Sequence, residues 1–369
     1  MTRQPLFDKI TIIGLGLIGS SIARATYERN VAHRITGCDR NEVSLAYGRK
    51  HGFIDTASHN PLTAVAGSDL IILATPPSAL GEIAEAIAPN LKPGAIIMDT
   101  ASVKQPAIDA IAPHVPKGVH FLPAHPVAGS EKTGVSGGRS NLFSRKFVIL
   151  TPDEPSDTPA LQQATAFWKA LGARVDAMPA ALHDIVYAYV SHLPQLLAFA
   201  AAPCLQAYRT EDNATLQKFL RLSGSSPASW SDIFLLNRND MLVALDRYLD
   251  VIHHIEKELA QAPDEPPKKA DDRLAHTTLF PRIAASCLVT TLMEAEKKAG
   301  FSFACYAGTG FADFTAAASQ APEEDIERIS WQYKAIRQVL GEYTQRLKAF
   351  HAALAAADTK LLKNAIASA

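Results

Sequence analysis

Cysteine is scarce in this chain. Four are scattered through 369 residues (Cys38, Cys204, Cys287 and Cys305), with no C-x-x-C and no neighbouring histidine pattern. That spacing argues against a disulfide framework and against a zinc site. Long apolar runs are missing as well: none reaches the roughly 18 residues that a bilayer span needs. Residues 1–9 are polar and lack the apolar centre of a signal peptide, so a reduced, cytoplasmic setting is expected. Nor is either charge in excess. Lys plus Arg number 36 against 37 for Asp plus Glu, which leaves no global field to recruit nucleic acid or an anionic membrane.

What is present is globular material with a clear pattern. Apolar residues make up 47% of the chain, enough for real cores, and the length suits two domains or three small ones. In the first half, short β-branched runs alternate with helical spacing. Residues 9–14 (K-I-T-I-I-G), 35–39 (I-T-G-C-D), 70–74 (L-I-I-L-A), 95–99 (A-I-I-M-D), 119–123 (V-H-F-L-P) and 147–150 (F-V-I-L) read as strands. Runs of this kind, with helices between most of them, predict a doubly wound parallel sheet.

Gly14-Leu15-Gly16-Leu17-Ile18-Gly19 follows the first of these strands and opens a helix over residues 20–29. A G-x-G-x-x-G gains its specificity from that context and from an acid about twenty residues on, here Asp39, 25 positions after Gly14. Gly14 permits the tight turn, Gly16 lets the backbone approach a pyrophosphate, and Gly19 lets helix and strand pack closely. The phosphates would rest on the helix N-terminus. Asp39 should accept the adenosine ribose hydroxyls and repel a 2′-phosphate, favouring NAD over NADP, although Arg40 beside it is a residue that can hold such a phosphate. Leu17 and Ile18 in the loop, Thr75 and Pro76 after the third strand, and Ser102 after the fourth complete the expected cofactor contacts.

In such sheets ligands bind beyond the carboxyl ends of the strands. Ser102 and Lys104 follow the strand ending at Asp99, and His125 follows the strand over residues 119–123, so all three are expected to line one crevice. A histidine suits alcohol oxidation, because an unperturbed imidazole, with a pKa near ~6.5, can accept a hydroxyl proton at neutral pH. His125 is followed by Pro126 and then by Ala128-Gly129-Ser130-Glu131 at that ligand edge.

The blocks G-L-G-L-I-G-S-S, D-T-A-S-V-K, H-P-V-A-G-S-E-K-T-G-V and N-L-F…V-I-L-T-P, in this order, resemble the prephenate/arogenate (cyclohexadienyl) dehydrogenase family of tyrosine biosynthesis. The resemblance runs through residues 8–262 and is most specific around His125. It continues in Ser191-His192-Leu193-Pro194-Gln195, similar to the family's S-H-L-P-H, with Gln195 where a second histidine is common. Pro194 should kink that helix. Arg221-Leu222-Ser223-Gly224-Ser225-Ser226-Pro227 and Trp230-Ser231-Asp232-Ile233 resemble its R-I-A-x-S-x-P…W-x-D-I run.

The resemblance implies a Rossmann-type nucleotide domain, an all-helical domain that completes the substrate site, and oxidative decarboxylation with NAD. His125 would draw the proton from the ring hydroxyl, Ser102 would align that hydroxyl, and Arg221 would grip the ring carboxylate, as a planar, permanently charged guanidinium can. Ser130, Glu131, Ser191, His192 and Gln195 join the implied substrate set, with Glu131 read either as a surface carboxylate or as a group that orients substrate. No metal is called for. A β-hydroxyacid dehydrogenase is the enzymic alternative, but such enzymes carry a lysine on the interdomain helix and residues 183–209 contain none. A noncatalytic NAD-binding interaction protein is the other.

The remaining third repeats what precedes it. Residues 262–272 form a polar, proline-rich linker, and residues 281–288 and 308–315 (G-T-G-F-A-D-F-T) again resemble the family's helical domain. Pro227 and Pro322 pair at an offset of 95, as do Tyr248 and Tyr343. The second copy lacks the chemistry, since Ala316 falls where Arg221 stands and Leu279 near His192, while its Asp313 falls where Lys218 stands. The expected organisation is therefore an α/β domain over residues 1–178, a helical domain over 179–262 and a degenerate second copy over 263–369. Family members dimerise through the helical domain, so the chain is expected as a homodimer or as an intramolecular pseudo-dimer in which Asp313 reaches toward Arg221.

Overall fold

The computed structural model describes residues 4–129, 133–153, 158–208, 213–261, 272–318 and 322–367. The chain divides into two compact units, Met1–Asp184 and Ile185–Ala369. The division falls within the Ala180–Tyr187 helix, a few residues beyond the boundary expected near 178, so that residues 179–184 of the expected first helical copy belong to the first unit.

In the first unit, strands β1 (Phe7–Ile13), β2 (Ala32–Cys38), β3 (Thr56–Ser58), β4 (Leu70–Leu73), β5 (Ile96–Asp99) and β6 (His120–Phe121) form one parallel sheet in the order β3-β2-β1-β4-β5-β6. This is the doubly wound order of dinucleotide-binding folds. The inner strands are largely apolar, β4 (L-I-I-L) wholly so, because helices cover both faces and successive side chains enter opposite cores. Ile10 and Ile12 join Ile72, Met98, Phe167 and Trp168 on one side, while Ile13 joins Ile71, Leu73 and Ile97 on the other. Each such side chain, fully buried, contributes about 1.5–3 kcal/mol.

A second sheet was not foreseen. Strands β7 (Ala124–Pro126), β8 (Phe147–Leu150) and β9 (Arg174–Ala177) pair in the order β7-β8-β9, antiparallel between β7 and β8 and parallel between β8 and β9. The run at 147–150, expected in the parallel sheet, belongs here instead. His125 thus sits on a strand, opposite Ile149. Strand β7 is an edge, which is where a sheet tolerates Pro126.

The second unit is helical. Two of its helices begin alike: a single wide π-turn, Ala188–His192 or Ala275–Leu279, leads into Leu193–Ala201 or Phe280–Ala299. Pro194 and Pro281 each occupy the first turn of the helix that follows. Proline brings no N–H to the ladder, and the widened turn accommodates the missing bond, so the kink expected at Pro194 takes this form. Later, Pro227–Leu236 and Arg238–Ala260 are separate helices divided at Asn237, whereas the corresponding stretch Pro322–Ala355 is continuous. Arg238–Ala260 packs along Pro322–Ala355, and the buried Tyr248 and Tyr343 hydroxyls meet at 3.1 Å. Phe219 and Phe314, also 95 residues apart, stack with ring centroids 4.4 Å apart. Among the described residues no helix is long and apolar enough to cross a membrane.

Candidate active site

The glycine loop between β1 and the Leu17–Glu28 helix is shaped by two different constraints. Gly14 lies at φ +94°, and a Cβ there would stand 2.4 Å from the Ala74 carbonyl oxygen; a Cβ on Gly19 would stand 1.8 Å from that of Gly14. Both glycines are required by the fold itself. Gly16 is not: a Cβ on it would meet no protein atom within 4 Å. Gly16 instead caps the Leu17–Glu28 helix without a side-chain bond, so open space faces the helix N–H groups, as the close approach of a pyrophosphate requires.

The rest of the cradle agrees with a dinucleotide. Asp39 accepts from Leu15 N at 2.6 Å and from Asn41 N at 2.8 Å, which fixes its carboxylate against the loop. Beside Gly14, the Thr75 hydroxyl is buried without a hydrogen-bond partner among the described residues, and a ligand's polar atom can supply one. Leu17 and Ile18 are half-buried at the start of the helix, while Pro76 and Arg40 are exposed.

The chemistry-bearing residues of the first unit converge on His125, which is 6% exposed. Its Nδ1 lies 2.8 Å from His183 Nε2, and His183 Nδ1 lies 2.8 Å from Asp184 Oδ1. Asp184 also accepts from Lys104 N at 2.7 Å and Gln105 N at 2.8 Å. Below this chain, the Lys104 ammonium pairs with Asp99 and donates to the Ala124 carbonyl at 2.7 Å. Asp99 in turn accepts from Ala101 N at 2.9 Å and Ala124 N at 3.2 Å. The ion pair thereby ties the turn after β5 to the residue preceding His125. Burial pulls the Lys104 pKa down, against the opposing pull of Asp99 and then Asp184.

Lys104 was expected to line the crevice with Ser102 and His125, and it does not. It is wholly buried, its charge spent on Asp99 and a carbonyl, because two acceptors inside the turn compensate its desolvation. Ser102 is half-buried in the bend after β5, two residues before it. His183 and Asp184 were missed. Their only signal is a His–Asp pair inside an otherwise apolar helical run, and periodicity does not say what such a pair meets. Ser130 and Glu131 lie outside the described residues.

In the second unit, Arg221 closes the Ala214–Arg221 helix and lines an open pocket with Gln217, Leu220 and Gly224. Asp313, on the Thr309–Thr315 helix, receives Arg221 Nη2 at 2.5 Å and Nε at 2.7 Å on one oxygen. The pair is partly exposed, so it orients the guanidinium more than it stabilises the fold. Gln195 is buried and donates to the Leu222 carbonyl at 2.7 Å, holding the turn that follows Arg221. His192 is buried with Nδ1 3.0 Å from Asn237 Nδ2 and its ring edge-on to Trp230, while Ser191 is half-buried in the same π-turn. The structure thus gathers Gln195 and Arg221 around one turn.

Comparison with known proteins adds a consistent picture. The prephenate dehydrogenase nucleotide-binding domain matches residues 22–177, and the prephenate dehydrogenase dimerization domain matches residues 179–265. The chain is 34% identical over 252 residues to the cyclohexadienyl dehydrogenase of Zymomonas mobilis, covering 66% of this chain and 86% of that one. It is 32% identical over 260 residues to the prephenate dehydrogenase of Bacillus subtilis, covering 68% and 69%. The crystal structure of Aquifex aeolicus prephenate dehydrogenase with hydroxyphenyl propionate and NAD+ superposes with a TM-score of 0.59, at 28% identity, covering 79% of this chain and 97% of that one.

Proposed function

The chain belongs to the prephenate dehydrogenase family, and we propose that it oxidatively decarboxylates prephenate, with arogenate as the alternative substrate, using NAD. The observation that carries the reading is a buried imidazole, His125, held through Nδ1 in the same unit as the dinucleotide cradle. Bound NAD supplies the acceptor for the hydride that leaves the ring carbon. His125 takes the hydroxyl proton as that carbon becomes a carbonyl, with Ser102 as the group that aligns the hydroxyl. Loss of the ring carboxylate as carbon dioxide returns its bonding pair to the ring. The carbonyl oxygen then regains the proton held on His125, so the ring becomes a phenol with no net proton consumed.

Arg221 supplies the positive charge for a substrate carboxylate, and His192, Ser191 and Gln195 shape the same region. Preference for NAD over NADP rests on Asp39, whose fixed carboxylate repels a 2′-phosphate. The direct test is NADH formation with prephenate and with arogenate, each against NAD and NADP. No NADH from either acid would end the proposal. Arg221→Ala should chiefly raise KM for the acid, by about 10- to 100-fold, since a charge-assisted pair is worth about 1.5–3 kcal/mol. An unchanged KM would move carboxylate binding elsewhere.

The same proposal extends to assembly: the second helical copy takes the place of a partner subunit. Residues meet their own equivalents only beside a two-fold axis. Tyr248 against Tyr343 and Phe219 against Phe314 are two such pairs within one unit. The Arg221–Asp313 pair has no counterpart, because the equivalent positions are Ala316 and Lys218. One carboxylate-binding arginine per chain follows. Light scattering should give a species of 39.7 kDa; a dominant species of twice that mass would count against this arrangement.

A further inference from the structure

We propose that His183 and Asp184 are positioning residues that decide which ring nitrogen of His125 is basic. The inference rests on the reading of His125 as the proton acceptor, and it starts from the two oxygens of Asp184. Lys104 N donates to Oδ1 and Gln105 N to Oδ2. A backbone amide can only donate, so the carboxylate acts as an acceptor at both oxygens, and it meets His183 Nδ1 as an acceptor too. His183 then carries its proton on Nδ1 and presents a lone pair at Nε2. Facing that lone pair at 2.8 Å, His125 Nδ1 must be the protonated nitrogen. The lone pair of neutral His125 therefore lies on Nε2.

The same chain serves the charged state. When Nε2 gains a proton, the imidazolium still donates from Nδ1 to His183, and the Asp184 carboxylate offsets its charge. Burial gives the arrangement its force. His183 is 0%, Asp184 3% and His125 6% exposed, so little water is at hand to replace a lost partner. A wrong tautomer is costly in such a system: in a Ser-His-Asp triad, neutralising the aspartate lowers turnover by up to about four decades.

Asp184 also holds the start of the Gln105–Ile111 helix, so the test must separate a structural role from a positioning one. Three variants do so. Asp184→Asn removes the negative charge that offsets the His125 imidazolium while keeping the side chain's size, and should lower kcat by about 10²- to 10⁴-fold. His183→Leu removes the acceptor for His125 and should cost about 10²-fold or more. His183→Gln keeps an acceptor oxygen near the place of Nε2 and should retain kcat within about 10-fold, a rescue by the conservative change. KM for the acid and for NAD should stay within about threefold in all three.

The decisive arm is the background His125→Asn, where Asp184→Asn and His183→Leu should lower the residual rate no further. A loss there as large as in the parent would make the pair merely structural and overturn the proposal. Ring-nitrogen NMR of the parent supplies a readout independent of turnover. It should show a proton on His125 Nδ1; a proton on Nε2 in neutral His125 of the parent would also overturn it. If the parent oxidises neither acid, the functional reading fails while the NMR result still decides the tautomer.

Discussion

His125→Asn is expected to lower kcat by about two to four decades, the usual worth of a positioned general base. Asparagine is chosen because its amide nitrogen stands close to where Nδ1 stood. The donor to His183 can therefore survive, and the buried chain through Asp184 need not reorganise. What disappears is the atom equivalent to Nε2, the only one able to take the hydroxyl proton. KM for NAD should change little, because the glycine loop, Asp39 and Thr75 are untouched. The KM for the acid should also hold, since a general base acts in the transition state more than in the ground state. Steady-state NADH formation, with the acid and NAD varied in turn, measures kcat and both KM values. A variant with the parent's kcat would remove His125 from the chemistry.

The nucleotide half of the site was legible in the sequence because its constraints are local. The inner parallel strands had to be largely apolar on both faces, and Gly14 and Gly19 had to be glycine for reasons confined to adjacent backbone. Strands β3, β7 and β9 escaped notice because they are three or four residues long and carry polar side chains, too short for a period of two to stand out. Placement of the run at 147–150 also failed, since strand composition does not reveal which sheet a strand joins.

The same limit applies to side chains whose partners are distant in sequence. His125 stood out through its neighbours, whereas His183 lies 58 residues away and became meaningful only through a hydrogen bond. Lys104 was misread for a related reason: sequence shows a cation after a strand, but whether it faces ligand or Asp99 depends on the turn's path. Asp313 was foreseen near Arg221 because the repeat offset carries three-dimensional information that a single copy lacks. Gln195, expected near substrate, donates to the Leu222 carbonyl, so its departure from histidine is tied to the turn that supports Arg221.

Asp99→Ala should destabilise the first unit by about 3–5 kcal/mol, the cost of leaving a buried charge without its partner. Lys104 is wholly buried, and the Ala124 carbonyl would be its remaining acceptor there. The amides of Ala101 and Ala124 would lose their acceptor as well. Lys104→Met should cost less, because Asp99 would keep those two amides and methionine fills much of the volume. The double variant should cost less than the two single losses combined, since the cavity is then without either charge. Trp168 is buried in the first unit's core and serves as the reporter in a background with Trp230→Phe and Trp331→Phe. Urea unfolding followed by its fluorescence measures each midpoint. Simple additivity of the two single losses would mean that the Asp99–Lys104 contact contributes nothing as a pair. The position of Ala124 beside His125 would then have to come from the β7–β8 pairing alone.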